Sequence, residues 1–175
     1  FSREHGLDYE TVESVVRQGD EMGVGFFTFL GGEPLMVKDM MLELCRKFDK
    51  TYFQFFSNGT MIDEHSAEEI RDVGNLFPIL SIEGGREHTD AKRQFSDPNK
   101  SVYDRVLNAM KVLKDKRVPF GYSVDVRRDN AEYVSSSAFL DEMIECGAYV
   151  GWYFLHMPIE GAKDLETMPT PEQRK

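Results

Sequence analysis

The sequence predicts an α/β protein whose strands run parallel to one another. Short aromatic and β-branched runs alternate along the chain with segments in which apolar residues recur at helical spacing. The predicted order is α-β-α-β-α-β-α-β-α-β, and this alternation is typical of parallel strands joined by right-handed crossovers. A doubly wound sheet and a barrel both fit this order. In either one, ligands bind at the carboxyl ends of the strands.

The five predicted strands are rich in aromatic and branched residues and are bounded by glycine, proline or polar residues. They cover 24–30, 51–56, 77–82, 119–126 and 149–155. The first is a continuous apolar run, VGFFTFL, and we expect it to be buried on both faces. The Gly-Gly-Glu-Pro sequence at 31–34 ends it.

The predicted helices are recognised by their caps and by their apolar faces. Asp8 and Ser101 begin the first and fourth helices, Asp63 or Ser66 begins the third, and Asn130 begins a fifth that ends at 146–147. The expected inner face is Val12, Val15, Val16 and Met22 in the first helix and Met41, Leu44, Cys45 and Phe48 in the second. It is Ala67, Ile70 and Val73 in the third helix and Val102, Val106, Ala109, Met110 and Leu113 in the fourth. The polar stretch 86–100 predicts a long loop, either functional or simply solvated.

Composition narrows the classes of partner. The formal charge is −10, from 31 acidic residues against 21 Lys plus Arg. Such a surface repels phosphate backbones and anionic lipids, so we expect neither a nucleic-acid nor a membrane partner. Only two cysteines occur, Cys45 and Cys146, which predicts buried thiols and a cytoplasmic protein. The chain begins with Phe1 rather than Met, and we expect it to be part of a longer protein.

The ends of the predicted strands carry small, polar and acidic residues. They are Gly31, Gly32, Glu33 and Pro34; Ser57 and Asn58; Ser81 and Glu83; Ser123 and Asp125; and His156. Paired glycines allow a ligand to approach the backbone closely, and a carboxylate can accept from an ammonium group. Taken singly, each group also has an ordinary structural interpretation, as part of a turn, as a strand-end hydroxyl or as a core histidine. Together, at one edge of a parallel sheet, they favour a site for a zwitterionic, hydroxyl-bearing small molecule.

The succession of strand–GGEP, strand–SNG and strand–SIEGG resembles the radical S-adenosylmethionine (radical SAM) enzymes. A following His-Thr-Asp, Arg93 and a strand ending near 128–130 extend the resemblance over nearly the whole chain. It is strongest to the branch that matures peptides and cofactors. The resemblance implies a partial (β/α)6 TIM-like barrel over residues 1–165, with residues 166–175 as an exit linker towards a further domain.

The resemblance also implies residue roles. Gly31, Gly32, Glu33 and Pro34 would surround the methionyl ammonium group of S-adenosylmethionine. Ser57 and Asn58 would lie along the methionine or ribose, Ser81 and Glu83 by the ribose hydroxyls, and Arg93 by the methionyl carboxylate. Ser123 would line the same channel, and His156 would lie near the adenine. The family more often has Asp where Glu83 stands.

One departure from the family pattern is large. The family holds a [4Fe–4S] cluster with a Cys-x3-Cys-x2-Cys loop after its first strand, and this chain has no such loop. We expect that loop and the first strand to precede Phe1, and the five strands here to be the second to sixth. A peptide or small-molecule precursor as substrate and a flavodoxin or ferredoxin as electron donor are implied.

Two other interpretations remain open on the sequence alone. The chain could bind S-adenosylmethionine without any cluster. It could also be an unrelated α/β barrel enzyme that acts on a small acid or sugar. For that second alternative, Glu33, Glu83, Asp125 and His156 could provide an acid and a base at the strand ends.

Overall fold

A computed structural model describes residues 6–95, 97, 99–157 and 165–175. The strands are β1 (Phe26–Phe29), β2 (Tyr52–Ser57), β3 (Leu76–Ser81), β4 (Gly121–Val126) and β5 (Gly151–Leu155). The helices are α1 (Tyr9–Glu21), α2 (Lys38–Lys47), α3 (Glu64–Val73), α4 (Arg86–Lys92), α5 (Val102–Asp115), α6 (Ala131–Val134) and α7 (Ser137–Cys146). Short 3-10 turns cover Pro34–Val37 and Leu165–Thr167.

The sheet order decides between the two predicted architectures. All four pairings are parallel and the strands follow one another as β1-β2-β3-β4-β5. A doubly wound sheet reverses its order at a switch point, whereas successive right-handed crossovers in one direction place every helix on the same face. The order therefore indicates a barrel wall with helices outside.

Aromatic contacts across the inner face show that this wall is curled. The ring of Phe56 on β2 lies 6.3 Å from that of Trp152 and 5.8 Å from that of Phe154, both on β5. Three strand spacings of about 4.8 Å would separate these strands by roughly 14 Å in a flat sheet. The half-barrel predicted from the sequence is thus confirmed.

The core lies between the outer face of the sheet and the helices. Phe53 and Phe55 of β2 are fully buried there, and Phe27 and Phe29 of β1 stack on Phe53 with ring centroids 5.9 and 5.5 Å apart. The apolar residues predicted for the inner faces of α2, α3 and α5 are buried or half-buried against this layer. On α1 only Val16 is fully buried, while Val15 and Met22 are exposed, contrary to prediction.

The prediction that the first strand is buried on both faces is wrong. Phe26 is exposed, and Phe27 and Phe29 are only half-buried. β1 is at the edge of the sheet, so it has a neighbouring strand on one side only among the described residues. Its aromatic composition therefore reflects contact with β2 rather than enclosure.

The prediction of a loop over 86–100 is wrong for its first half, which forms α4. This helix has no apolar stripe, so its sequence lacks helical periodicity. Tertiary contacts hold it instead: Thr89 Oγ1 donates to Gly84 O at 3.1 Å, and the amide of Tyr103 donates to Asp90 at 2.9 Å. Arg86 pairs with Asp104 of α5.

The single helix predicted from Asn130 to Cys146 is instead two helices, α6 and α7. The hydroxyl of Ser136 donates to Tyr133 O at 2.6 Å and accepts from the amide of Phe139 at 3.3 Å. Serine side chains compete in this way with helical backbone bonds, and here they end one helix and begin the next.

Other predicted boundaries are confirmed. Asp63 is the N-cap of α3, in a capping box with Ser66, and Gly74 and Gly147 take left-handed conformations after α3 and α7. The tail after 165 turns back onto the barrel, because Arg128 donates from its amide to Thr167 O at 2.8 Å. The predicted break at Pro158 lies outside the described residues.

Replacing Phe53 by alanine tests the packing of β2 on the helices. Phe53 is 0% exposed, whereas its neighbour Tyr52 is 64% exposed. We expect Phe53→Ala to lower the free energy of unfolding by about 3–5 kcal/mol through the cavity that it leaves. Tyr52→Ala is the matched control and should cost less than about 0.5 kcal/mol in urea unfolding. Equal losses for the two variants would contradict the described strand orientation.

The cap of α3 gives a pH-dependent prediction. Hydrogen bonds from the Ser66 amide and hydroxyl hold the pKa of Asp63 below its ordinary value of 3.8. The stability that this carboxylate contributes is therefore present above pH 3.8 and is lost as the pH falls through the lowered pKa. We expect Asp63→Ala to cost about 1 kcal/mol at pH 7 and less near pH 3. Asp72→Ala, at the exposed end of the same helix, should change little at either pH when unfolding is measured in urea.

Candidate functional site

Side chains at the carboxyl ends of the strands form cross-strand links over most of the sheet edge. The ends of β1 and β2 are joined through Glu33, those of β3 and β4 through serines and Glu83, and those of β4 and β5 through Asp125 and His156. Parallel strands place these ends at the same edge of the barrel, as predicted. The residues predicted for the site are thus brought together there.

The carboxylate of Glu33 fastens the turn after β1 to the turn after β2. Its Oε1 accepts from Ser57 Oγ at 2.8 Å and from the amide of Leu35 at 3.2 Å, and its Oε2 accepts from the amide of Asn58 at 2.9 Å. The Ser57 hydroxyl also accepts from the amide of Gly59 at 3.0 Å. Both oxygens of Glu33 are therefore engaged in shaping the turns.

The two glycines before Glu33 offer backbone groups to a ligand. Gly31 and Gly32 are exposed, and a Cβ atom at Gly31 would meet nothing within 4 Å. Within the described part of the chain, no hydrogen bond engages their amides or carbonyls. Pro34 is buried at the start of the 3-10 turn and has no amide hydrogen to donate. The free carbonyls suit an ammonium group.

Asn58 forms a local turn rather than presenting its side chain. Its Oδ1 accepts from the amide of Thr60 at 2.9 Å and from the Thr60 hydroxyl at 2.6 Å, and Gly59 has a positive φ of 72°. This is the turn chemistry that Asn-Gly favours.

Two hydroxyls face the concave side between β3 and β4. Ser81 and Ser123 are register partners, and their oxygens lie 3.2 Å apart. Each hydroxyl keeps further donor or acceptor capacity after this single bond.

Glu83 and Arg93 form an ion pair at the same edge. Oε1 of Glu83 accepts from Arg93 Nε at 2.8 Å and lies 2.8 Å from Nη2 of the same arginine. Oε2 of Glu83 accepts from the amide of Asp125 at 3.2 Å. The side chain of Glu83 is 2% exposed and that of Arg93 is 33% exposed. Glu83 is thus enclosed, while about a third of the Arg93 side chain remains exposed.

Asp125 and His156 make a second side-chain contact at this edge. Nδ1 of His156 lies 2.9 Å from one carboxylate oxygen of Asp125 and 3.2 Å from the other. The amide of His156 donates to Val126 O at 2.9 Å, which continues the ladder between β4 and β5. The carboxylate fixes the ring orientation and leaves Nε2 as the imidazole atom available to a ligand.

The sequence indicates Asn130 only as a helix start and does not predict the hydrogen bonds that its side chain makes. Asn130 is the N-cap residue of α6, yet its side chain makes no capping bond there. It is fully buried and bonds instead to Glu83, Asp125 and Arg127. An asparagine at a helix start usually satisfies the helix itself, so the local pattern gave no signal of these long-range contacts.

The described residues hold no group of three or more His, Cys, Asp or Glu side chains arranged for a metal ion. Burial raises the pKa of the Cys45 thiol to about 12, and burial also raises the pKa of Cys146, which is half-buried. Neither cysteine belongs to a group of potential metal ligands among the described residues, so neither is placed to hold iron. No helix among the described residues is long and apolar enough to cross a membrane.

A model of the radical SAM superfamily matches residues 2–138. The chain belongs to the radical SAM superfamily. The resemblance seen in the GGEP, SNG and SIEGG segments is thereby confirmed, and the interpretation as an unrelated barrel enzyme is set aside.

Relatives and solved structures agree with this assignment. The chain is 26% identical over 128 residues to the Fe-coproporphyrin III synthase of Methanosarcina barkeri, covering 73% of this chain and 31% of that protein. It is 26% identical over 164 residues to the AdoMet-dependent heme synthase of Oleidesulfovibrio alaskensis, covering 91% and 40%. The solved structure of anSMEcpe with bound AdoMet and Cp18Cys peptide has the same fold, with a TM-score of 0.75, 24% identity, and coverage of 97% and 49%.

The chain spans between a quarter and about half of the length of the curated relatives it matches. Radical SAM proteins use S-adenosylmethionine together with a [4Fe–4S] cluster, which is the source of their radical chemistry. The edge described here fits the first of these groups, because it presents free carbonyls, accessible guanidinium donors and hydroxyls. The two cysteines do not fit the second, so the cluster ligands are not in this chain.

The Glu83–Arg93 pair can be tested by removing either partner. Arg93→Met leaves the enclosed carboxylate of Glu83 unpaired and should lower the free energy of unfolding by about 3–5 kcal/mol. Glu83→Gln leaves an arginine that water can reach, so the loss should be smaller. Lys92→Met, at an exposed neighbouring position, is the control and should be nearly neutral in urea unfolding. A loss for Glu83→Gln that exceeds the loss for Arg93→Met would contradict the described burial.

Proposed function

We propose that this chain is the S-adenosylmethionine-binding part of a radical SAM enzyme that acts on a peptide or a cofactor precursor. The observation that carries the proposal is the exposed Gly31-Gly32 turn with free backbone groups, held by Glu33 at the same barrel edge as Arg93. Reductive cleavage of the cofactor to a 5′-deoxyadenosyl radical is the proposed reaction of the whole protein, an oxidoreductase that depends on iron and sulfur.

In this proposal the methionyl end of the cofactor lies between the first turn and α4. The carbonyls of Gly31 and Gly32 accept from its ammonium group, and Glu33 and Pro34 hold that turn in shape. Arg93 uses two N–H groups on Glu83, and a guanidinium group has five, so the remaining donors bind the methionyl carboxylate. Ser57 and Asn58 set the adjoining turn along which the methionine lies.

The ribose and adenine lie towards β3, β4 and β5. Ser81 and Ser123 supply hydroxyls for the ribose. Both oxygens of Glu83 already bind Arg93 and the Asp125 amide, which favours a role in placing Arg93 over direct contact with the sugar. His156 borders the adenine, with Nε2 towards the ligand.

We propose that parts of the machinery lie in a longer protein that contains these 175 residues. We propose that a Cys-x3-Cys-x2-Cys loop preceding Phe1 holds the [4Fe–4S] cluster and that residues 166–175 lead to a further domain. A flavodoxin or ferredoxin is the proposed electron donor, and the cytoplasm the proposed compartment. A haem precursor and a peptide are the substrate classes that the names of the similar proteins suggest.

A second candidate function is cofactor binding without a cluster. It uses the same cofactor contacts and needs no iron ligand, a role for which neither cysteine of these residues is placed. The two candidates differ in whether iron is needed for S-adenosylmethionine to bind and be cleaved.

The test uses the whole encoded protein, reconstituted anaerobically with iron and sulfide and then reduced with dithionite. We expect a brown iron–sulfur chromophore and the release of 5′-deoxyadenosine and methionine from S-adenosylmethionine. Arg93→Lys, which keeps the charge but loses the planar fork, should weaken cofactor binding about tenfold, whereas Lys92→Arg should leave it unchanged. A protein with no chromophore that still binds the cofactor would favour the second candidate. Absence of both binding and chromophore would refute the two together.

A further inference from the structure

Asn130 is a fully buried polar side chain at the barrel edge. The residue is 0% exposed. Its Nδ2 donates to Glu83 O and to Asp125 O, both at 3.0 Å, and its Oδ1 accepts from the amide of Arg127 at 2.7 Å. An amide has two N–H donors, and both are used here.

These bonds lie where the backbone ladder between β3 and β4 stops. The register of the two strands ends at Ser81 and Ser123, and the last bond of the ladder runs from the amide of Ile82 to Ser123 O at 2.9 Å. Beyond that point the strands are joined by side chains. The carboxylate of Glu83 holds the Asp125 amide, and Asn130 holds the carbonyls of the same two residues.

The two residues that Asn130 joins each hold a further side chain of the site. Glu83 binds Arg93, and Asp125 binds His156. A shift of either strand end would therefore move a guanidinium donor or an imidazole ring at the barrel edge. A displacement of about 1 Å is enough to impair a site of this kind.

We propose that Asn130 is a positioning residue of the S-adenosylmethionine site, which it serves by fixing the separation of the β3 and β4 ends. This inference rests on the proposed function. Asn130 itself does not touch the cofactor; it acts through the backbone of Glu83 and Asp125. A role as a helix cap does not account for its burial, because α6 has only four residues and takes no capping bond from it.

The chain contains a matched control for this inference. Asn75, 7% exposed, donates from Nδ2 to the carbonyls of Cys45, Phe48 and Thr51 at 3.0, 3.1 and 2.8 Å. It precedes β3, so it joins neighbouring segments at the amino-terminal end of the barrel, opposite the site. The two asparagines are similar in burial, and both donate to backbone carbonyls. They differ in which end of the barrel they hold, and Oδ1 of Asn75 has no hydrogen-bond partner among the described residues.

The experiment compares Asn130→Asp with Asn75→Asp in the whole encoded protein with its cluster reconstituted. Each substitution replaces the donating amide group by an oxygen that faces carbonyl oxygens, so we expect comparable losses of stability in urea unfolding. Binding of S-adenosylmethionine itself is measured by equilibrium dialysis under conditions where circular dichroism shows each variant folded. We expect a dissociation constant raised at least tenfold by Asn130→Asp and no more than about twofold by Asn75→Asp.

Equal affinities in the two folded variants, with normal binding by the wild type, would overturn the inference and leave the proposed function intact. No binding by the wild type would refute the proposed function and the inference with it. If either aspartate variant fails to fold, Asn130→Ala and Asn75→Ala replace the pair, because alanine removes the donors without adding a charge. The same contrast in affinity is then expected, and its absence has the same meaning.

Discussion

The helices α2 to α7 lie in the connections between successive parallel strands, and right-handed crossovers place them on a single face of the sheet. The covered face is dense and apolar, with Phe53 and Phe55 at its centre. The other face curls inwards and keeps polar groups at its carboxyl edge. A sheet covered on both faces would have no room for a ligand above Ser81 and Ser123.

Because helices cover only one face of the sheet, side chains rather than backbone hydrogen bonds join the turns at the carboxyl edge. Helices brace the strands from outside, but the turns beyond the strands have no ladder to hold them. Glu33 fastens one pair of turns, and Glu83 together with Asn130 fastens another. Buried polar groups of this kind are costly unless every donor and acceptor is matched. The side chains of Glu33, Glu83 and Asn130 are matched in this way, and their bonds hold the turns that they join.

The sequence could predict features that depend on local chemistry. Strand positions follow from aromatic runs, and the ends of α3 and α7 follow from Gly74 and Gly147, whose positive φ values only glycine adopts easily. Features that depend on distant partners could not be predicted. α4 lacks an apolar stripe and is held by Asp104 and Tyr103 of another helix. The exposure of β1 depends on its place at the sheet edge, which composition does not record.

The candidate site likewise has features that the sequence predicts and features that it does not. Residue types and strand ends predict that Glu33, Ser57, Ser81, Ser123 and His156 lie at one edge, and the structure brings them together there. Their partners were not predictable, because a carboxylate can bind a ligand or a neighbour equally well. Glu83 binds Arg93, which lies ten residues later in the chain. The turn and α4 separate the two residues, and the sequence predicts a loop where α4 lies.

The outer edges of β1 and β5 have a consequence for how this part of the chain behaves in solution. Within the described residues no strand pairs with either edge, and Trp152, Phe154 and Leu155 are exposed on β5. Unpaired apolar edges are templates for strand pairing between molecules, which leads to aggregation. The net charge of −10 opposes such contact by mutual repulsion. Because salt screens that repulsion, we expect these residues on their own to aggregate more readily at high ionic strength than at low ionic strength.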